Sequence, residues 1–185
     1  QGVQAGCYGD PYARTPNLDR LAAEGVRFAR AYVTQASCSP SRSSTFTGLY
    51  PHQNGQLGLS HRGYSMHEGV PTMPEILKTA GYRTGVIGKV HVAPKESFPF
   101  DWKGGISTPG TRKVNLVAER AAAFLDETGD TPFFLMVNYF DPHRPLLDQV
   151  EGIPELPLKP EEVKPFPFLG DLGDPRATGP LLSLL

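Results

Sequence analysis

Two cysteines in 185 residues, Cys7 and Cys38, are too few for a disulfide framework, and neither stands in a metal-type Cys-x-x-Cys pair. A disulfide-stapled scaffold and a zinc-ribbon site are thereby excluded, and the redox compartment is left unread. An excess of charge of one sign is also lacking: 18 Lys and Arg against 19 Asp and Glu leave a formal net charge of -1. The chain as a whole has no field that would gather nucleic acid or an anionic membrane surface, so neither is expected as a partner and any anion site must be local. No run approaches the roughly 18 apolar residues of a membrane span. Residues 1–20 lack the basic-then-apolar layout of a signal peptide, and no internal repeat is visible.

What is present is a 39% hydrophobic chain, enough for the core of one ordinary α/β domain, with 20 glycines and 19 prolines that imply long loops. Thr15-Pro16-Asn17 predicts a helix start, and Leu18, Leu21 and Ala22 give it an apolar stripe up to Gly25. Val26, Phe28 and Ala31–Val33 predict a strand running toward Cys38. Ser39-Pro40 reads as a cap with a first-turn proline, so a short helix is expected over Ser41–Thr47, stopped by Gly48, with Cys38 at its N-terminus. Thr72-Met73-Pro74-Glu75 is a capping box that leads Ile76, Leu77 and Ala80 into Gly81. A strand over Tyr82–Ile87 should then end in Gly88-Lys89-Val90-His91. Val114–Asp126 has helical spacing, and Phe133–Phe140 is a continuous apolar run of the kind buried on both faces of a parallel sheet, ending at Asp141-Pro142-His143-Arg144. Seven prolines after 151 make 151–185 an extended covering segment.

The alternation of helices and strands argues for a parallel sheet, whose ligands gather beyond the carboxyl ends of the strands. Three polar clusters fall there: Cys38 with Arg42, Lys89 with His91, and Asp141 with His143 and Arg144. A lone cysteine is by default a small buried apolar residue. Cys38 differs because it precedes a capped helix whose open N–H groups and partial positive charge attract anions, with Arg42 one turn further on. Lys89 and His91 are two apart, so on extended backbone their side chains point the same way and suit a shared ligand, although a snorkelling lysine beside a satisfied histidine fits equally. His143 follows a buried run in a charged, proline-stiffened tetrapeptide, which favours function over packing.

Cys38-Ser39-Pro40-Ser41-Arg42 followed by Thr47-Gly48 resembles the signature of the type I sulfatases, formylglycine-dependent members of the alkaline-phosphatase superfamily. The likeness extends over Thr-Pro-Asn-Leu-Asp (15–19), Gly-Tyr-Arg-Thr-Gly (81–85), Gly-Lys-Val-His (88–91) and Phe-Asp-Pro-His (140–143). Within the family, Thr-Gly-Leu-Tyr-Pro-His-Gln-Asn-Gly (47–55), Lys-Val-His-Val-Ala-Pro (89–94) and Phe-Pro-Phe-Asp (98–101) resemble the heparan N-sulfatase (sulfamidase) branch and its bacterial relatives most.

The resemblance implies an alkaline-phosphatase-like α/β fold, a mostly parallel sheet flanked by helices. It implies a partial catalytic domain over 1–150, with 151–185 part of the same domain, incomplete at both ends. By the same likeness the chain is a Ca2+-dependent hydrolase whose Cys38 is oxidised by the formylglycine-generating enzyme, and formylglycine attacks the sulfur of a sulfated carbohydrate or other small sulfate. Arg42 and Lys89 would neutralise the sulfuryl oxygens. His91 would partner the formylglycine hydroxyls, and His143 would protonate the leaving group. His52, Asn54, Asp141 and Arg144 are expected at the substrate. Of the calcium shell only position 38 is identifiable, since the Asp-Asp and Asp-Asn ligands of the family are not found in this chain. A periplasmic, extracellular or lysosomal location is what the family implies. Two further readings stay open: a non-catalytic remnant lacking the metal shell, and a phosphoryl-transferring relative, which the full signature disfavours. Substrate choice among N-sulfated sugar, O-sulfated glycan and aryl sulfate also stays open.

Overall fold

Arg83-Thr84-Gly85-Val86-Ile87 forms strand β1 (Arg83–Ile87), and four of its five residues are buried. The cause is its central place in a three-stranded parallel sheet of order β2-β1-β3, with neighbours on both edges and cover on both faces. Strand β2 (Trp102–Lys103) pairs through Gly85↔Trp102 and Val86↔Lys103, and β3 (Phe133–Val137) runs in register from Arg83↔Phe133 to Ile87↔Val137. The computed structural model describes residues 4–145, 147 and 149–155, so most of the proline-rich stretch, 156–185, lies outside the described residues.

Val86 looks into an apolar cluster with Phe46, Met66, Val92, Phe98 and Phe100, in which Phe46 and Phe98 meet edge to face at 4.9 Å. On the other side, the fully buried Phe124 sits over Gly85, and a Cβ there would fall 2.6 Å from the ring, so only glycine admits this contact. Helix α5 (Val114–Thr128), the crossover from β2 to β3, brings Phe124 to that place; its apolar stripe at Val117, Ala121 and Phe124 is the periodicity read from the sequence.

Four other helices complete the described elements longer than a 3-10 turn: α1 (Pro16–Glu24), α2 (Cys38–Thr47), α3 (Pro51–Asn54) and α4 (Met73–Thr79). The capping box at Thr72 is formed, and Gly25 and Gly48 close α1 and α2 as expected. The described residues fall into two compact units, Tyr32–Phe140 and the remainder on either side of it. In the second unit, Thr15 and Asp19 of α1 tie down the turn at Gly6–Tyr8 through Gly6 N→Thr15 Oγ1 (2.9 Å) and Cys7 N→Asp19 Oδ1 (2.7 Å).

Three expectations are corrected. Helix α2 starts at Cys38, with Ser37 as N-cap in extended conformation and Pro40 in the third helical position, so Cys38 lies inside the first turn instead of ahead of it. No strand forms over 26–33: no described strand offers it a ladder, and Val26, Phe28, Tyr32 and Val33 are all exposed. Strand β3 ends at Val137, where Asn138 turns its amide back onto the carbonyl of Ile87, and as an edge strand of the described sheet it is only half-buried.

Candidate active site

Helix α2 has little apolar surface, with Phe46 and Pro40 its main buried hydrophobic groups. Hydroxyls hold it instead. Ser43 Oγ donates to Pro40 O (2.8 Å) and Thr47 Oγ1 to Ser43 O (2.7 Å). From α3, the fully buried Asn54 donates through Nδ2 to Ser43 Oγ (3.1 Å) and Thr47 Oγ1 (3.2 Å), and its Oδ1 accepts from Gln56 N (2.9 Å). The structure gives Asn54, expected at the substrate, an internal place, with Nδ2 on the hydroxyls of α2 and Oδ1 on Gln56 N. His52 is exposed and stacks on Tyr50 at 5.7 Å.

On the other side of α2, Arg42 reaches the carboxyl ends of two strands. Its Nη1 donates to Lys89 O at 2.7 Å and to Asn138 Oδ1 at 2.9 Å. Asn138 is held in turn, with its backbone N and its Nδ2 both donating to Ile87 O, at 3.0 and 3.1 Å. The turn that lets these strand ends meet needs Gly88, whose φ is +82° and whose Cβ would lie 2.7 Å from Asn138 O. Burial pushes the Arg42 guanidinium below its ordinary pKa, a shift that its electrostatic interaction with Cys38 offsets only in part. The cation is thus partly stripped of water beside the first turn of its own helix, where an anion is worth more than in bulk solvent. The N–H groups of Cys38 and Ser39 belong to that open first turn, and Ser41 N is the first to bond within the helix, to Ser37 O.

A second strand of contacts runs from Ser39. Ser60 N donates to Ser39 Oγ (3.1 Å) and Ser60 Oγ to His91 O (3.3 Å). His91 Nε2 and His61 Nδ1 share a hydrogen at 2.9 Å, with rings nearly parallel and centroids 5.1 Å apart. His91 has φ +52°, so the backbone from Lys89 to His91 is not extended and the same-side argument for the two side chains does not apply. A left-handed non-glycine residue costs on the order of 1–3 kcal/mol and concentrates at functional sites.

Cys38, Arg42, Lys89 and His91 are therefore gathered in one unit around the start of α2 and the carboxyl end of β1. Asp141, His143 and Arg144 lie in the other unit, exposed in a turn where His143 Nδ1 bonds Arg144 O at 2.7 Å. Asn138 and His61 were not legible as site residues: Asn138 is the one amide inside the apolar run 133–140, and that interruption was its signal. Among the described residues no group of three or more His, Cys, Asp and Glu could hold a metal ion. A calcium ion wants six to eight oxygen ligands, so the described residues do not make a calcium site by themselves.

A family model described as Sulfatase matches residues 1–157. The N-sulphoglucosamine sulphohydrolase of Homo sapiens is 39% identical over 150 residues, 77% of this chain and 30% of that protein. The ulvan-active sulfatase of Formosa agariphila is 32% identical over 165 residues, 88% of this chain and 31% of its own length. A protein solved in complex with its substrate D-glucosamine-2-N,6-O-disulfate superposes with a TM-score of 0.65 at 28% identity, covering 79% of this chain and 33% of the other. The chain thus spans about a third of the length of these relatives.

Proposed function

This chain belongs to the sulfatase family, and on that footing we propose that it carries the nucleophile-bearing part of a hydrolase that removes sulfate from sugars, as an ester or a sulfamate. The observation that carries the reading is the placement of Arg42: one turn from Cys38 on α2 and fastened through Nη1 to the ends of β1 and β3. Fastening leaves its Nε and Nη2 hydrogens for a ligand and removes most of the reorganisation that a mobile cation would undergo when charge develops.

Position 38 fits a formylglycine. It is half-buried in the first turn, between the exposed run that precedes it and the buried Ser39 and Pro40 that hold the turn in place. Once oxidised, it supplies a hydrated aldehyde as the attacking group, which a thiol does not. Arg42 and Lys89 bind and orient the sulfuryl oxygens. His61, by sharing a hydrogen with His91, selects one tautomer of that ring and so fixes which nitrogen can donate or accept toward the nucleophile. Protonation of the departing alcohol or amine by His143 rests on the family resemblance alone. Sulfated saccharides are favoured as substrates by the relatives, which include a protein with D-glucosamine-2-N,6-O-disulfate as its substrate. The formylglycine-generating enzyme is the partner this reading requires.

The test is hydrolysis of N-sulfoglucosamine by the protein containing this chain after co-expression with that enzyme. Release of sulfate that disappears in Cys38→Ala supports the reading. Sulfate release that survives Cys38→Ala rules it out.

A further inference from the structure

A cavity of about 420 Å3 opens where the chain leaves β1 and β2, and Ser60, His91, Lys95 and Lys103 are among its lining residues. From these lysines we infer a subsite for a second acidic group of a polyanionic saccharide, beside the sulfate site proposed at Cys38 and Arg42; the inference rests on that reading.

Charge is the first support. Lys95 and Lys103 are exposed and neither is in an ion pair or hydrogen bond among the described residues, whereas Lys78 and Arg83 in the same unit are paired with carboxylates. No Asp or Glu lines the cavity. In a chain of net charge -1, two uncompensated lysines at one mouth are a local positive field, and a concave apolar wall concentrates it. Phe98 and Phe100 supply that wall from the core cluster.

Shape is the second. Gly88, Gly104 and Gly105 leave the floor without side chains, and φ values of +82° at Gly88 and +68° at Gly105 keep other residues out. The volume is at the small end of the range for ligand pockets, roughly 300–1,000 Å3, which suits one sugar unit. Continuity is the third. Ser60 and His91 line this cavity and also form the contact chain that starts at Ser39, next to Cys38. The cavity thus shares Ser60 and His91 with the contacts that lead to the start of α2.

Trp102 is the sole tryptophan and adjoins Lys103 and Gly104, so its fluorescence reports on occupancy. The 185-residue chain is titrated with D-glucosamine-2-N,6-O-disulfate and with the same sugar carrying only the N-sulfate, which offers no second acidic group. The variants are Lys95→Gln/Lys103→Gln, whose exposed side chains leave the fold intact, and Arg42→Lys. The inference expects the second sulfate to tighten binding about 5- to 20-fold at low salt, as two partly screened charge pairs allow. That preference should vanish in the double lysine variant, while its affinity for the singly sulfated sugar, which also certifies its fold, stays unchanged. A preference that persists in the double variant overturns the inference. If the singly sulfated ligand binds and Arg42→Lys weakens it, but the second sulfate adds nothing, the subsite falls and the sulfate site stands. If neither ligand binds the unaltered chain, both fall.

Discussion

Arg42 Nη1 lies 2.9 Å from Asn138 Oδ1, and the two residues are 96 positions apart in the chain. This bond fastens α2 to the end of β3, with the turn at Gly88 fitted between. Asn138→Ala would leave the half-buried guanidinium short of an acceptor and cost about 1–3 kcal/mol. Asn138→Asp would keep an acceptor there and should cost less. Urea titrations of the two variants, compared at equal slope, check the order.

Asn54 and His52 lie two residues apart and should behave oppositely. Removing the buried Asn54 amide strands Ser43 and Thr47 hydroxyls and the Gln56 N–H, so Asn54→Ala should destabilise by about 1–3 kcal/mol. His52→Ala, at an exposed position, should stay within about 0.5 kcal/mol of the unaltered protein. The same titrations decide.

Much of the fold is legible in the sequence because its signals are local. The capping box at Thr72, the glycines after α1 and α2 and the 3.6-residue stripe of α5 each act within a turn or two of chain, and each element forms where expected except that α2 begins three residues earlier, at Cys38. Arg42 and Lys89, singled out in the sequence as two separate clusters, are brought together by a hydrogen bond from Arg42 to the Lys89 carbonyl. What was not legible depends on distant partners. Val26 and Phe28 have strand chemistry but no described strand to pair with. Asn54 looks like a loop amide until α2 is packed on it, and Asn138 and His61 gain their roles from residues 96 and 30 positions away.

Asp101 gives a dependence of stability on pH. Lys78 and the N–H and hydroxyl of Thr84 bond its carboxylate, and the Lys78 contact first, then Thr84, hold its pKa below the ordinary value. A folded pKa below the unfolded one means that the contribution is complete above the unfolded value of about 3.9 and is lost as pH falls through the lowered folded value. Asp101→Asn should therefore be the less stable protein at neutral pH, and the gap should close below about pH 4. Thermal melts of both proteins from pH 7 down to pH 3 follow it.

His143 and Arg42 should separate two substrates. An amine leaves poorly unless protonated, whereas a phenolate departs with little help. In the protein containing this chain, His143→Ala should cut turnover of N-sulfoglucosamine by roughly 10²–10⁴-fold, the usual worth of a general acid, and spare an aryl sulfate. Arg42→Ala touches the sulfuryl group common to both and should depress the two rates together. Equal losses for His143→Ala would remove the leaving-group role.

The claim on which the account depends is that Cys38 is the residue made into the nucleophile. Its position inside the first turn of α2, with Pro40 and Arg42 in the sequence that the modifying enzyme of the family reads, supplies the motive. The direct measurement is peptide mass spectrometry of the chain co-expressed with a formylglycine-generating enzyme, with Cys7 in the same digest as the internal control. The account predicts an aldehyde at position 38, a plain thiol at Cys7, and reduced conversion in Pro40→Ala and Arg42→Ala. An unmodified thiol at Cys38, under conditions that convert a control sulfatase, would contradict it.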